Sequence, residues 1–352
     1  MANRVIRFAV SVITFTALAA AVGAGAQSPD PARAMELFKQ RKWVEAAAAF
    51  EQIEAASPGQ TDALLYQGKC LVNLERFGDA GTALQAYWSN HPQSEDAAYL
   101  LAYVRFREDK PRESLELFTA AARLKTPTAD DFKIVSLDYV LLNDYDDAGR
   151  YLEECLRRDP ENADCLYHLG RVRYQQNRFD DAIAAFEHAL RLEPNDVKAE
   201  NNLGLSYDAE NKNEAAIAAY RKAIALDQAA SAHTEQPYLN LGMLLSKSNH
   251  PGEAVPLLVQ AEGIAPSSNK VRYELGKAYF DMGQFAKAQP ELEAAVRIDP
   301  KSRESHYMLG RVYQRLGKAD LAAQEFKITE SLIRSNDAGA SGMSAAPGPG
   351  MP

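Results

Sequence analysis

The chain has 352 residues, of which 46 % are apolar and 25 % charged, and its formal net charge is −9. That acidic balance argues against non-specific nucleic-acid binding, which needs a basic footprint. The length exceeds one ordinary small core, a bound from which an array of stacked repeats is exempt because each unit packs only on its neighbours.

The first 26 residues differ from the rest. Arg4 and Arg7 make a short positive start, an apolar stretch runs from about Phe8 to Val22, and Ala24-Gly25-Ala26 offers a small-x-small cleavage site before Gln27. This is the pattern of a secretory signal peptide. The apolar run is shorter than the roughly 20 residues a membrane span needs, so removal of residues 1–26 is expected rather than anchoring. No cysteine stands at the cleavage point, which argues against lipid attachment there. The short, alanine-rich form points to an exported bacterial protein, periplasmic or secreted. Export would permit disulfides. There are three cysteines, Cys70, Cys155 and Cys165, so at least one thiol stays free or pairs between chains.

After Gln27 two signals recur on a 34-residue beat: Leu169-Gly170, Leu203-Gly204, Leu275-Gly276 and Leu309-Gly310, with Pro160, Pro194, Pro266 and Pro300 closing units. A fixed period of this length means stacked helical hairpins. Placing Leu-Gly at positions 7 and 8 gives nine units, 27–60, 61–94, 95–128, 129–162, 163–196, 197–230, 235–268, 269–302 and 303–336. In the unit 163–196, Leu166, Leu169, Gly170 and Tyr174 share one helical face, Asn177-Arg178 makes the turn, and Phe179, Ala182, Ile183, Phe186 and Ala189 follow helical spacing. Position 20 is alanine at Ala46, Ala80, Ala148, Ala182, Ala216, Ala254, Ala288 and Ala322, which lets the paired helices approach closely. Four inserted residues, Ser231–Thr234, separate six repeats (27–230) from three (235–336). Gln228 stands there in place of the closing proline, so the preceding helix either runs on or ends in a longer loop. Pro256 and Pro290 share one register inside second helices and either kink them or start their regular part. Residues 337–352, rich in Gly, Ala, Ser and Pro, are expected to form a disordered tail.

The pattern resembles the tetratricopeptide repeat, over about residues 27–336 and most closely from 163 to 330. It departs at Ala34 and Ser136, which replace the glycine of position 8. The resemblance implies an all-α fold, a right-handed superhelical solenoid of antiparallel helix pairs. It also implies that positions 2, 5, 9, 12 and 13 of each first helix line a concave groove. Those positions hold Tyr99, Tyr103, Phe106 and Arg107 in one unit and Tyr167, Arg171 and Tyr174 in another. They hold Tyr273, Lys277 and Phe280 in a third, then Tyr307, Arg311 and Arg315 in the last. Aromatics beside cations have the composition of binding hot spots, and Arg pairs bidentately with carboxylates. Partly buried filler is the competing reading for Tyr167, Tyr273 and Tyr307. Asn202 and Asn240 sit as in the family's carboxylate clamp, but the cationic partners in register are missing, so that function is not carried over.

Chemistry is sparse. The six histidines share no metal-ligand spacing, and HExxH, CxxC, a Gly-rich phosphate loop and Gly-x-Ser-x-Gly are all missing from the sequence. Acidic pairs such as Asp180-Asp181 fit the first turns of helices. No catalytic residue, cofactor or metal is therefore expected. Cys155 and Cys165 flank a short turn between antiparallel helices, where a disulfide competes with two small buried thiols. The expectation is an exported protein–protein interaction scaffold that holds a peptide or protein segment in its groove, in envelope or secretion-complex assembly. A module binding glycans or another non-protein ligand is the alternative.

Overall fold

The computed structural model describes residues 30–59, 61–230 and 233–343, with side chains as far as Arg334. The expected signal segment 1–26 lies outside the described residues, as do 344–352. Among the described residues there are eighteen helices and no strand. The chain divides into two compact units at Glu108/Asp109, and each is considered by itself.

In the first unit α1 (Pro31–Lys39) pairs with α2 (Trp43–Ala56), α3 (Ala63–Asn73) pairs with α4 (Phe77–Asn90), and α5 (Glu95–Arg107) packs on both α3 and α4. The second unit opens with α6 (Pro111–Leu124), which packs on α7 (Ala129–Leu141). Hairpins follow: α7 with α8 (Tyr145–Arg158), α9 (Ala163–Gln175) with α10 (Phe179–Leu192), and α11 (Val197–Ala209) with α12 (Asn213–Ala230). Then come α13 (Gln236–Lys247) with α14 (Pro251–Ile264), α15 (Asn269–Asp281) with α16 (Phe285–Ile298), and α17 (Arg303–Arg315) with α18 (Ala319–Met343). The unit boundary falls inside the repeat 95–128, dividing α5 from α6.

Local chemistry sets each helix end. The first helices of most repeats start on a capping side chain at the last position of the previous unit: Ser94, Thr128, Asn162, Asp196, Ser268 and Ser302 each accept from a backbone N–H of the first turn. Second helices follow a residue with positive φ, and most lack such a cap, α8 with Asp144 accepting from the Asp147 N–H at 3.1 Å being the exception. That residue is at position 15 in every repeat, from Arg41 (φ 57) through Asn177 (φ 58) to Gly317 (φ 75).

The position-8 glycines are steric requirements. A Cβ on Gly170 would lie 2.7 Å from the Phe186 ring, on Gly204 2.6 Å from Tyr220, and on Gly310 2.6 Å from Phe326. Each ring comes from position 24 of the partner helix, so the glycine is the floor on which the second helix rests.

Helix α12 runs on to Ala230, and the buried Asp227 carboxylate accepts from the Thr234 N–H at 2.9 Å to tie down the return. Packing continues past the insertion: one core cluster takes Ala216 and Tyr220 from α12, Leu241 and Leu244 from α13, Leu258 from α14, and Val271 and Leu275 from α15. Pro256 and Pro290 lie within α14 and α16, five residues after each helix begins, so neither starts its helix. Cys155 at the end of α8 is bonded to Cys165 at the start of α9, with Cα atoms 6.5 Å apart, and Cys70 is a buried free thiol whose pKa burial raises to about 11. No described helix is long and apolar enough to cross a membrane.

Candidate functional site

First helices touch the first helices of adjacent repeats: α3 meets α5 in the first unit, and α9, α11, α13, α15 and α17 meet in succession in the second. Second helices make no mutual contact of that extent among the described residues. Closer spacing on one side curves a stack toward that side, so within each unit the first helices are the inner layer. The groove candidates all lie on this layer.

In the first unit, Tyr103 and Arg107 sit one helical turn apart on α5. The Arg107 guanidinium lies 4.1 Å over the Phe77 ring and donates to the Tyr103 hydroxyl at 2.7 Å. Tyr103 meets Phe77 edge-on at 6.3 Å and Phe106 at 6.5 Å. Tyr99, one turn earlier, is half-buried.

A second group is centred on α9. Arg171 lies 5.8 Å over the Tyr167 ring, Tyr167 packs on Phe186 at 6.0 Å, and Tyr174 meets Phe179 at 5.4 Å. The Tyr167 hydroxyl accepts from Asn202 at 3.4 Å, and burial raises its pKa. Beside it, burial and then the Arg171 charge lower the His168 pKa to about 4, so this imidazole is neutral at physiological pH.

The third group joins α15 and α17. Arg311 lies 4.5 Å over Phe280 of the preceding repeat and 6.0 Å over Tyr307 of its own, while Arg315 lies 5.4 Å over Phe285. Phe280 is only 8 % exposed and belongs to the core, whereas Tyr307 is 50 % exposed. Tyr273 is half-buried against the same core, and burial raises its hydroxyl pKa. Lys270 lies 3.0 Å and Lys277 4.0 Å from the buried Glu274 carboxylate.

These groups share two registers. Arginine at position 9 covers tyrosine at position 5 of its own repeat, in Arg171–Tyr167 and Arg311–Tyr307. Arginine at position 13 covers phenylalanine at position 17 of the preceding repeat, in Arg107–Phe77 and Arg315–Phe285. Phe77 and Phe285 were not among the residues singled out from sequence, because position 17 opens the second helix; their sign was the recurrence of Phe after the turn. A guanidinium over a ring face keeps N–H groups available to donate. Other inner-layer cations are already paired, as in Lys69–Asp96 (2.9 Å), Lys133–Asp164 (3.0 Å) and Lys247–Asp208 (3.1 Å). Arg171, Arg311 and Arg315 have no carboxylate within salt-bridge distance among the described residues. No group of three or more metal-ligating side chains occurs among the described residues.

Family models described as tetratricopeptide repeat match residues 37–104 and 139–201, 198–229, and 273–331. No curated protein matches the sequence significantly. Among solved structures, the chain is similar to the APC/C hetero-tetramer Cut9-Hcn1, at 16% identity and a TM-score of 0.54, over 82% of this chain and 56% of that one. It is also similar to the C-terminal part of a TPR repeat-containing protein from Cytophaga hutchinsonii, at 15% identity and a TM-score of 0.51, over 79% of this chain and 98% of that one. A third similarity, to YrrB, described as a TPR protein with an unusual peptide-binding site, has 18% identity and a TM-score of 0.45, over 52% of this chain and 94% of that one. The first two likenesses bear on the fold.

Proposed function

Because this chain belongs to the tetratricopeptide repeat family, a fold of protein-interaction scaffolds, we propose that it is an exported scaffold whose first-helix layer captures a carboxylate-bearing segment of a partner protein. The observation that carries this reading is the set of guanidinium groups, Arg171, Arg311 and Arg315, which lie over aromatic rings and have no carboxylate partner among the described residues. A guanidinium held over a ring presents two parallel donors at reduced entropic cost, the geometry that a carboxylate accepts bidentately. The rings supply apolar area beside the charge. Export is supported by the signal pattern of residues 1–26 and by the Cys155–Cys165 bond, which persists in oxidising compartments. Assembly of an envelope or secretion complex is the setting in which such a scaffold fits.

The experiment is crosslinking of the native protein in its compartment, identification of the captured protein, and repetition with R171E/R311E/R315E. The triple variant should keep its helical circular dichroism and weaken capture at least about tenfold, equivalent to about 1.4 kcal/mol. Equal capture by the variant would remove the groove assignment.

A further inference from the structure

The core beneath α6 and α7 departs from the repeat pattern at two facing positions. Position 20 is alanine in eight repeats but Ser114 on α6. Position 10 is apolar and buried at Cys70, Val104, Val172, Leu244, Ala278 and Val312 and a satisfied serine at Ser206, but is Asp138 on α7. Asp138 is 0 % exposed, Ser114 is 1 % exposed, and neither carboxylate oxygen nor the serine hydroxyl has a partner within hydrogen-bond geometry. Adjacent Ser136 is also buried but satisfied, donating to the Lys133 carbonyl at 2.7 Å.

Among the described residues no cation compensates the carboxyl. Lys133 is turned to Asp130 and Asp164, Arg150 of α8 to Asp147, and Arg158 of α8 to the Phe132 ring and the Pro127 carbonyl. From α6 the facing group is the uncharged Ser114. Burial accordingly lifts the Asp138 carboxyl to about 7. A buried carboxylate without cation or full hydrogen bonding is disfavoured, whereas the neutral acid carries an O–H that the Ser114 oxygen can accept.

We propose that Asp138 and Ser114 form a proton-operated latch that seats α6 on α7 while the carboxyl is neutral and loosens that seat once it ionises. The latch lies at the start of the second unit, in the half of the divided repeat that begins with α6. Stack stability is a sum of neighbour interfaces, so α6 can loosen while α7 to α18 stay folded. The direction follows from linkage. An aspartate whose folded pKa is raised contributes its stability fully below about 4, the unfolded value, and loses it as pH rises through the folded value near 7. Helix α6 is therefore seated on α7 in mildly acidic surroundings and labile in alkaline ones.

Hydrogen exchange of the full chain, corrected for intrinsic rates, tests this at about pH 6 and about pH 8.5. Amides of Pro111–Leu124 should exchange about tenfold faster at the higher pH, the factor that one pH unit of ionisation supplies. D138N, which cannot ionise, should abolish that dependence, while α15 and α16 stay unchanged in both proteins. Equal pH dependence in wild type and D138N would overturn the latch. Should D138N fail to fold, a carbon-13 titration of the wild-type Asp138 carboxyl decides: a midpoint near 7 supports the proposal, and one below about 5, in the ordinary carboxylate range, ends it.

Discussion

At the scale of single residues, position 15 shows how a repeat can impose backbone geometry on unsuitable side chains. Asn143, Asn177, Asn211 and Asn249 tolerate the left-handed conformation, and Gly283 and Gly317 adopt it freely. Arg41, Glu75 and Asp109 occupy the same region, each at φ 57. A side chain with a Cβ pays about 1–2 kcal/mol there, part of which glycine returns through its larger loss of backbone entropy. Glu75→Gly should therefore stabilise the first unit by about 0.5–1 kcal/mol, and Asn177→Gly should gain less. Urea unfolding is the check: the Glu75→Gly midpoint should rise with an unchanged slope. A fall would mean that the Glu75 side chain makes a contact outweighing the backbone strain.

At the scale of helices, the 34-residue beat made the hairpins legible because a small residue under a large one is both a sequence pattern and the condition for close packing. Gly204 beneath Tyr220 is readable as letters and as a 2.6 Å clearance. What the beat does not encode is how well one hairpin seats on the next. The mismatch of Ser114 and Asp138 between α6 and α7 was not visible, because a single polar residue in a helical face does not reveal whether a partner satisfies it. Of the candidate groove, the arginines and tyrosines follow from the register that the family resemblance implies, but the rings Phe77 and Phe285 come from second helices of neighbouring repeats. The α8–α9 junction gives the sharpest element-level test. The Cys155–Cys165 bond closes a short loop, with a sequence separation of 10. Constraint of a loop of that size is worth about 2–3 kcal/mol. Reductant should lower the stability of residues 145–175 by about that amount and leave a C155A/C165A variant indifferent. Native hydrogen exchange with and without reductant reads this directly; a wild type equally indifferent would show that the bond is not formed.

At the scale of the molecule, a stack must end, and the end must not invite another copy. Internal second helices present apolar side chains to the next repeat at positions 21 and 28: Ile183 and Leu190 on α10 are buried, and Ile217 and Ile224 on α12 join the neighbouring core. On α18 those registers hold Ala323 and Glu330, both exposed, with Lys327 exposed between them. Terminal repeats with a polar outer face stay soluble where an internal repeat would aggregate. At these two registers α18 therefore lacks the apolar face of an internal helix, although Leu321, Ile328 and Ile333 are exposed elsewhere on it and α17 and α18 pack like any other hairpin, Gly310 under Phe326 included. A323I/E330L should convert these registers into an internal face. Its inner core is untouched, so helicity and melting temperature should stay close to wild type, while sedimentation velocity should show concentration-dependent self-association exceeding that of wild type. E330K, which changes the charge without adding apolar area, should leave the sedimentation profile as it is. If A323I/E330L sediments like wild type over the same concentrations, the polarity of α18 is not what terminates the stack.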